Sequence, residues 1–96
     1  MIIAKFWLSA VGIGGISIIK MPVGAKILFI GNQHESICIW AKVDLEQSSE
    51  DRKFLMFETG DELPEHLEAN YLYLGTVLLS DANDVIHIYE KINSVT

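Results

Sequence analysis

Residues 18–44, IIKMPVGAKILFIGNQHESICIWAKVD, decide the fold, because they contain two apolar runs separated by a short polar segment. Both runs are rich in β-branched and aromatic residues, and residues 32–35 between them are of the types that form turns. This pattern predicts a β-hairpin. Because side chains alternate along a strand, the second run is expected to have one buried face and one mixed face. The expected buried face consists of Ile37, Ile39, Ala41 and Val43, and the mixed face of Cys38, Trp40 and Lys42.

The rest of the chain contains five further segments with the length and composition of strands. The predicted turns include residues 11–15, which contain three glycines, and residues 80–84. Seven short strands with little helical periodicity predict an all-β fold: a small antiparallel sandwich or barrel that forms a single domain over residues 1–96. The five segments are residues 4–10, 16–22, 52–59, 71–79 and 85–91.

Two polar segments are predicted to connect strands. Residues 45–53, LEQSSEDRK, lack periodicity and are interpreted as a solvent loop with at most one helical turn. In residues 59–70, TGDELPEHLEAN, the fixed φ angle of Pro64 suits the first position of a short helical turn, for which Asp61 or Glu62 is the expected cap.

Half of the 96 residues are hydrophobic, and a domain of this size has difficulty burying so much apolar surface alone. We therefore expect a homo-oligomer. The longest uncharged stretch, residues 6–19, is shorter than the ~20 residues that span a bilayer, so no membrane segment is expected. The N-terminal residues lack the basic start and cleavage pattern of a signal peptide. The single cysteine, Cys38, fits a reducing cytoplasm.

The charge of the chain is acidic and unevenly distributed. The formal net charge is −6. Residues 1–43 contain four lysines and one glutamate, whereas residues 44–96 contain twelve acidic residues and only three basic ones. Because phosphates repel an acidic chain whose cations are not clustered, direct DNA or RNA binding is not expected.

Four short motifs occur in order along the chain: a Met-Pro-x-Gly-Ala turn, a Trp-Ala pair before an acidic residue, a Thr-Gly turn and a Leu-Gly-Thr strand. With these motifs, residues 16–91 resemble a family of small, β-rich phage and prophage proteins of uncharacterised function. The family has no agreed catalytic residues, so the resemblance implies a phage accessory gene product and not a metabolic enzyme. The motifs are carried by Met21, Pro22, Gly24, Ala25, Trp40, Ala41, Asp44, Thr59, Gly60, Leu74, Gly75 and Thr76.

The residues that could support catalysis or metal binding lack matching partners in the sequence. Residues 12–15, Gly-Ile-Gly-Gly, are followed by a predicted strand and not by a helix, which favours a hairpin turn over a phosphate-binding loop. His34, His66 and His87 lack the spacing of metal ligands. Cys38 could act as a nucleophile only beside a base and with a lowered pKa, and a cysteine in the middle of a strand is usually a small hydrophobic residue. We therefore expect a non-enzymatic protein without a cofactor or metal.

Trp40, Lys42 and Lys26 are the candidate ligand-binding residues. Trp40 and Lys42 share a strand face, whereas the place of Lys26 depends on the hairpin register. An indole that stacks on a base and ammonium groups that meet phosphates would form a nucleotide pocket, to which His87 or Thr59 could contribute. The alternative is an indole packed in a second apolar layer beside solvent-directed lysines, with His87 as a hydrogen-bonded histidine at an interface.

Residues 58–68 carry five acidic side chains and no Lys or Arg. Such a segment could mimic nucleic-acid phosphates and occupy a basic groove on a host nuclease or CRISPR effector. Alternatively, it is a solvated connection that keeps an apolar domain in solution. The acidic residues are Glu58, Asp61, Glu62, Glu65 and Glu68.

Three functions remain open at this level, all consistent with a phage protein in the host cytoplasm. The first is a homo-oligomer that counteracts antiviral defence by sequestering a nucleotide-type immune signal. The second is an acidic inhibitor that blocks a host defence protein. The third is a virion or assembly component.

Overall fold

The computed structural model describes residues 1–8, 15–79 and 84–92, which form two antiparallel sheets. One sheet has the strand order β1-β4-β3, and the other has the order β2-β5-β7-β6. The two sheets share one apolar core, so the expectation of a small antiparallel sandwich is confirmed. The strands are β1 (Ile2–Leu8), β2 (Ile16–Pro22), β3 (Lys26–Gln33), β4 (Ser36–Val43), β5 (Ser49–Glu58), β6 (Tyr71–Leu78) and β7 (Val85–Lys91), with one helical turn, α1 (Leu67–Asn70).

The predicted hairpin is formed by β3 and β4. Its two turn residues, His34 and Glu35, have φ angles of 53° and 65°, as a two-residue hairpin loop that follows the twist of the strands requires. The predicted alternation in β4 is also observed. Ile39 and Ala41 are completely buried in the core, whereas Trp40 and Lys42 lie on the outer face of the three-stranded sheet.

The core lies between the inner faces of the two sheets and receives large side chains from both. Phe54, Met21, Ile39 and Ile88 are fully buried, and each such side chain contributes about 1.5–3 kcal/mol to folding. Gly75 lets β6 approach β3, since a Cβ atom at this position would lie 3.1 Å from Cγ2 of Ile30. The close contact of β3 with β6 joins one edge of each sheet.

The prediction of a loop over residues 45–53 is wrong for the second half of this segment, because β5 already begins at Ser49. The first residues of β5 pair with the end of β2, where Met21 lies opposite Glu50. Lys20 and Asp51 form a salt bridge of 3.0 Å across the same pair of strands. Polar residues can form this strand because its hydrogen bonds come from a neighbouring backbone and do not require apolar side chains.

The helical turn begins three residues later than expected, at Leu67. Its N-cap is His66, which has a left-handed φ of 60°, so the predicted caps Asp61 and Glu62 are wrong. The Asp61 carboxylate instead accepts a hydrogen bond from the backbone N–H of Glu58 at 2.8 Å. The predicted turns at residues 11–15 and 80–84 lie outside the described residues, apart from Gly15 and Asp84.

Candidate functional site

The outer face of the three-stranded sheet combines aromatic rings with lysine side chains. The register places Trp40 directly opposite Lys5 of β1 and Phe29 of β3. It also places Lys26 opposite Lys42, on the same face as Trp40. Among the described residues, the three strands carry no Asp or Glu on this side of the sheet. We call this surface the aromatic face, formed by Trp7, Phe29, Trp40, Lys5, Lys26 and Lys42.

The rings of the aromatic face are accessible. Trp7 is 50% exposed and Phe29 is 64% exposed. The ring centroids of Phe29 and Trp40 are 5.9 Å apart at an interplanar angle of 43°. The ammonium of Lys5 lies 4.4 Å from the ring centroid of Trp7 and donates a hydrogen bond to Oε1 of Gln33. Half-exposed rings beside ammonium groups form a surface suited to stacking on a planar anionic ligand.

The position of the Phe29 ring depends on Gly31. The ring lies above this glycine, and a Cβ atom there would come within 2.6 Å of Cε2 of Phe29. The φ angle of Gly31 is not in the left-handed region, so the glycine is needed for space and not for backbone conformation. A side chain at this position would displace the ring from its place beside Trp40.

Cys38 lies in the middle of the aromatic face but is completely buried. Burial raises the pKa of the Cys38 thiol, and the positive charge of Lys5 offsets part of this rise. The thiol therefore stays protonated near neutral pH, and its weak hydrogen bond to the Ser36 carbonyl has an Sγ to O distance of 3.8 Å. A protonated, buried thiol is a poor nucleophile.

His87 and Thr59 lie on the other side of the sandwich, on the outer face of the four-stranded sheet and at the adjoining turn. Thr59 Oγ1 is 2.8 Å from Nε2 of His87, and Thr76 Oγ1 is 2.9 Å from Nδ1. The Tyr73 hydroxyl extends this chain of hydrogen bonds to Thr76. The five candidate ligand-binding residues thus form two groups, because Trp40, Lys26 and Lys42 share one outer face whereas His87 and Thr59 belong to the opposite side.

A cleft of about 280 Å³ opens beside His87. Its aromatic walls are Phe57, Tyr73 and Tyr89, which project from three adjacent strands. We call it the tyrosine cleft, and its remaining lining consists of Glu58, Thr59, Gly60, Asp61, Leu63 and His87.

The acidic segment, residues 58–68, begins at the last residue of β5 and ends within α1, at one end of the four-stranded sheet. All five of its carboxylate side chains belong to exposed residues. Two of them, Glu58 and Asp61, line the tyrosine cleft. The other three, Glu62, Glu65 and Glu68, face solvent outside it.

A second cleft, of about 390 Å³, lies at the end of the sandwich where β5 and β7 approach the turn before β3. Its lining includes Arg52, Glu90 and Ala25, which are held together by hydrogen bonds within the chain. These three groups satisfy one another. The lining also carries charges of both signs, which belong to Glu50, Asp51, Lys53 and Lys91. Arg52 and Glu90 have no signal in the sequence pattern that marks them as a pair.

Lys5, Trp7 and Phe29 also belong to the aromatic face, although they were not among the predicted site residues. Alternation in residues 4–8 places Lys5 and Trp7 on one strand face, which was the available signal. Their assignment to the site depends on the pairing of β1 with β4, which brings together residues more than thirty positions apart.

Within the described ranges, no three side chains of His, Cys, Asp and Glu are grouped as metal ligands. A search of the same residues for helices found none with the length and apolar character of a bilayer-spanning segment.

The fold and these surfaces define a small all-β sandwich domain with an aromatic, lysine-bearing face on one side and an aromatic cleft with an acidic rim on the other. The chain belongs to the family described as a domain of unknown function, DUF7352, which matches residues 2–96. Comparison with curated proteins and with solved structures gave no significant match. Membership of an uncharacterised family was expected and is confirmed, whereas phage origin stays a prediction.

Proposed function

We propose that the chain is a non-enzymatic binding protein that captures a nucleotide-type ligand on the aromatic face. One observation carries this proposal: three aromatic side chains, two exposed and one partly exposed, share a face with three lysines, and this face has no carboxylate among its described residues. Stacking of a base on an aromatic side chain contributes about 1–3 kcal/mol per base. The lysine ammonium groups supply charge-assisted hydrogen bonds to phosphate.

The proposed binding unit is a homo-oligomer in which the ligand lies between two copies of the chain. An open sheet surface contacts only one side of a planar base, and a second aromatic face would cover the other side. The exposed apolar rings of Trp7 and Phe29 support this arrangement, because monomeric proteins rarely leave large apolar patches in water.

The proposed biological role is counter-defence: sequestration of a nucleotide-type immune signal in the cytoplasm of an infected host. Support for this role comes from the resemblance to small phage and prophage proteins and from the nucleotide-like chemistry that the aromatic face would recognise. Sequestration needs tight binding without turnover, which suits a surface with stacking and charged groups and a protonated Cys38 thiol.

The proposal is tested by thermal unfolding with a panel of cyclic mononucleotides, cyclic dinucleotides and ADP-ribose. A ligand at ~100 times its dissociation constant adds about 2.7 kcal/mol to the free energy of unfolding, which is a clear rise in Tm. Trp40→Ala and Lys26→Gln should abolish or reduce the rise. Lys20→Gln is the matched control, since Lys20 is exposed on the outer face of the other sheet.

Two results would overturn the proposal. One is a Tm that no nucleotide of the panel changes at millimolar concentration. The other is an equal loss of binding in Lys20→Gln and Lys26→Gln, which would indicate a nonspecific charge effect. Size-exclusion chromatography with light scattering tests the oligomer separately, and a monomer in the presence of bound ligand would exclude the arrangement between copies.

The acidic segment supports a second candidate function, inhibition of a host defence effector. Its five carboxylates belong to exposed residues and are close together in the chain, as required to occupy a basic groove. The measurement is the activity of purified nucleases or CRISPR effectors with the protein added. We expect the native chain to inhibit the effector. We expect this inhibition to be lost when the five acidic residues are replaced by Gln and Asn. Equal inhibition by both proteins would contradict this function.

A further inference from the structure

The geometry points to a second binding site, the tyrosine cleft, for a small organic cation of the quaternary ammonium type. This site is independent of the proposed nucleotide capture, because it lies on the opposite side of the sandwich and its charge has the opposite sign. The walls, the floor and the rim of the cleft each suit such a cation.

The walls are three aromatic rings that meet at steep angles. The ring centroids of Tyr73 and Tyr89 are 5.4 Å apart with an interplanar angle of 63°, and those of Phe57 and Tyr89 are 5.7 Å apart at 82°. Neighbouring rings thus contact each other edge to face, and all three line the cleft. A cation within about 6 Å of such rings is attracted by the negative charge of their π faces.

The floor is rigid because its polar groups bind one another. Both ring nitrogens of His87 are hydrogen bonded, one to Thr59 and the other to Thr76. The hydroxyl of Tyr73 is hydrogen bonded to Thr76, which fixes the orientation of this ring although the residue is 51% exposed. A wall held in place before binding loses little conformational entropy when a ligand enters.

The rim is acidic. Glu58 and Asp61 line the cleft, and no Lys or Arg does so among the described residues. The Asp61 carboxylate is held in the turn by the backbone N–H of Glu58 at 2.8 Å, and Gly60 between them has a φ of 99°. Two carboxylates beside π faces attract a cation and repel a phosphate, so the cleft selects against the nucleotides proposed for the aromatic face.

The size of the cleft limits the ligand. Its volume of about 280 Å³ is just below the ~300 Å³ at which pockets for drug-sized molecules begin. A trimethylammonium group on a short chain is compatible with this size, and its methyl groups would contact the apolar side chains of Phe57 and Leu63.

Calorimetric titration with choline and with 3,3-dimethylbutan-1-ol tests the inference. The alcohol has the same shape as choline but carries carbon in place of the charged nitrogen. We expect choline to bind at least about tenfold more tightly, since the cation–π and carboxylate interactions require the charge. Equal affinity for the two compounds, or no saturable binding of choline, would overturn the inference.

Variants locate the site. Tyr73→Leu and Glu58→Gln should each weaken choline binding severalfold, whereas Tyr71→Leu should not, because Tyr71 lies on the same strand but outside the cleft. Circular dichroism confirms that each variant is folded. If Tyr71→Leu loses as much choline affinity as Tyr73→Leu, the cleft is not the binding site. Trp40→Ala should bind choline normally even if nucleotide binding fails, so the two proposals stand or fall separately.

Discussion

The guanidinium of Arg52 and the carboxylate of Glu90 form a bidentate ion pair inside one end of the sandwich. The Nε to Oε2 distance is 2.5 Å, and the Nη2 to Oε1 distance is 2.9 Å. Arg52 also donates from Nη1 to the carbonyl of Ala25 at 2.6 Å. The side chains are only 17% and 13% exposed. The pair therefore connects β5 and β7 of one sheet with the turn that leads into the other sheet.

Removing one partner of this pair should destabilise the protein strongly. The hydrogen bonds that Arg52 donates to the Glu90 carboxylate raise the pKa of Arg52 although burial opposes this rise, so the guanidinium is charged over the usual pH range. Arg52→Met leaves the Glu90 carboxylate in a largely buried place without its partner, which costs about 3–5 kcal/mol. Urea denaturation measures this loss.

The double variant Arg52→Met, Glu90→Leu provides the control. It removes both charges, so it should recover a large part of the stability that Arg52→Met loses. A double variant as unstable as the single one would show that the packing of the Arg52 side chain matters, and that the ion pair itself does not.

Gly15 and Gly60 should respond differently to substitution by alanine. Both have positive φ angles, 53° and 99°, which an L side chain disfavours by about 1–2 kcal/mol. A Cβ atom at Gly15 would also lie 2.4 Å from the backbone carbonyl oxygen of Met56, whereas nothing lies within 4 Å of one at Gly60. We expect Gly15→Ala to lose more stability than Gly60→Ala by about 1–3 kcal/mol. Similar losses in thermal unfolding would contradict this contact.

The sequence predicted local features well because they depend on neighbouring residues. The turn residues and the alternation in β4 identified the hairpin and placed Cys38, Trp40 and Lys42 on one face. The start of β5 was missed because its first residues are polar, and their pairing with β2 depends on backbone hydrogen bonds that leave no periodic pattern.

The assembly of the surfaces could not be predicted, because it depends on which strands share a sheet. Trp40 and His87 both lie in strands with alternating patterns, but these strands belong to different sheets. The register that aligns Lys26 with Lys42 includes a shift between Ile27 and Phe29, which alternation alone does not reveal. Pairing over long sequence distances therefore decided which of the candidate residues lie together.

The Cys38 thiol should react slowly with thiol reagents in the folded protein. It is completely buried, and its raised pKa lowers the thiolate fraction at any given pH. With 5,5′-dithiobis(2-nitrobenzoic acid) at a pH of about 7.5, we expect the native protein to be labelled at least ~100-fold more slowly than the protein in urea. The labelling rate of the native protein should continue to rise with pH above the ordinary pKa of a thiol. Rapid labelling of the native protein would contradict the burial, and Cys38→Ser gives the background.

Lys26 and Lys42 lie directly opposite each other on β3 and β4, so neutralising one of them should stabilise the fold while weakening ligand binding. Like charges on paired positions are unfavourable by about 0.2–1 kcal/mol. Lys26→Gln should therefore unfold at a higher urea concentration than the native protein. The gain should shrink with added salt, because the Debye length falls from about 10 Å at 0.1 M to about 3 Å at 1 M.

Lys20→Gln should not be more stable than the native protein, because it removes the 3.0 Å salt bridge between Lys20 and Asp51. A stabilised Lys26→Gln that has lost nucleotide binding would mean that the two lysines are retained for a ligand at a cost in stability. If Lys26→Gln is less stable than Lys20→Gln at low salt, the two lysines do not destabilise the unbound protein, and this prediction is wrong.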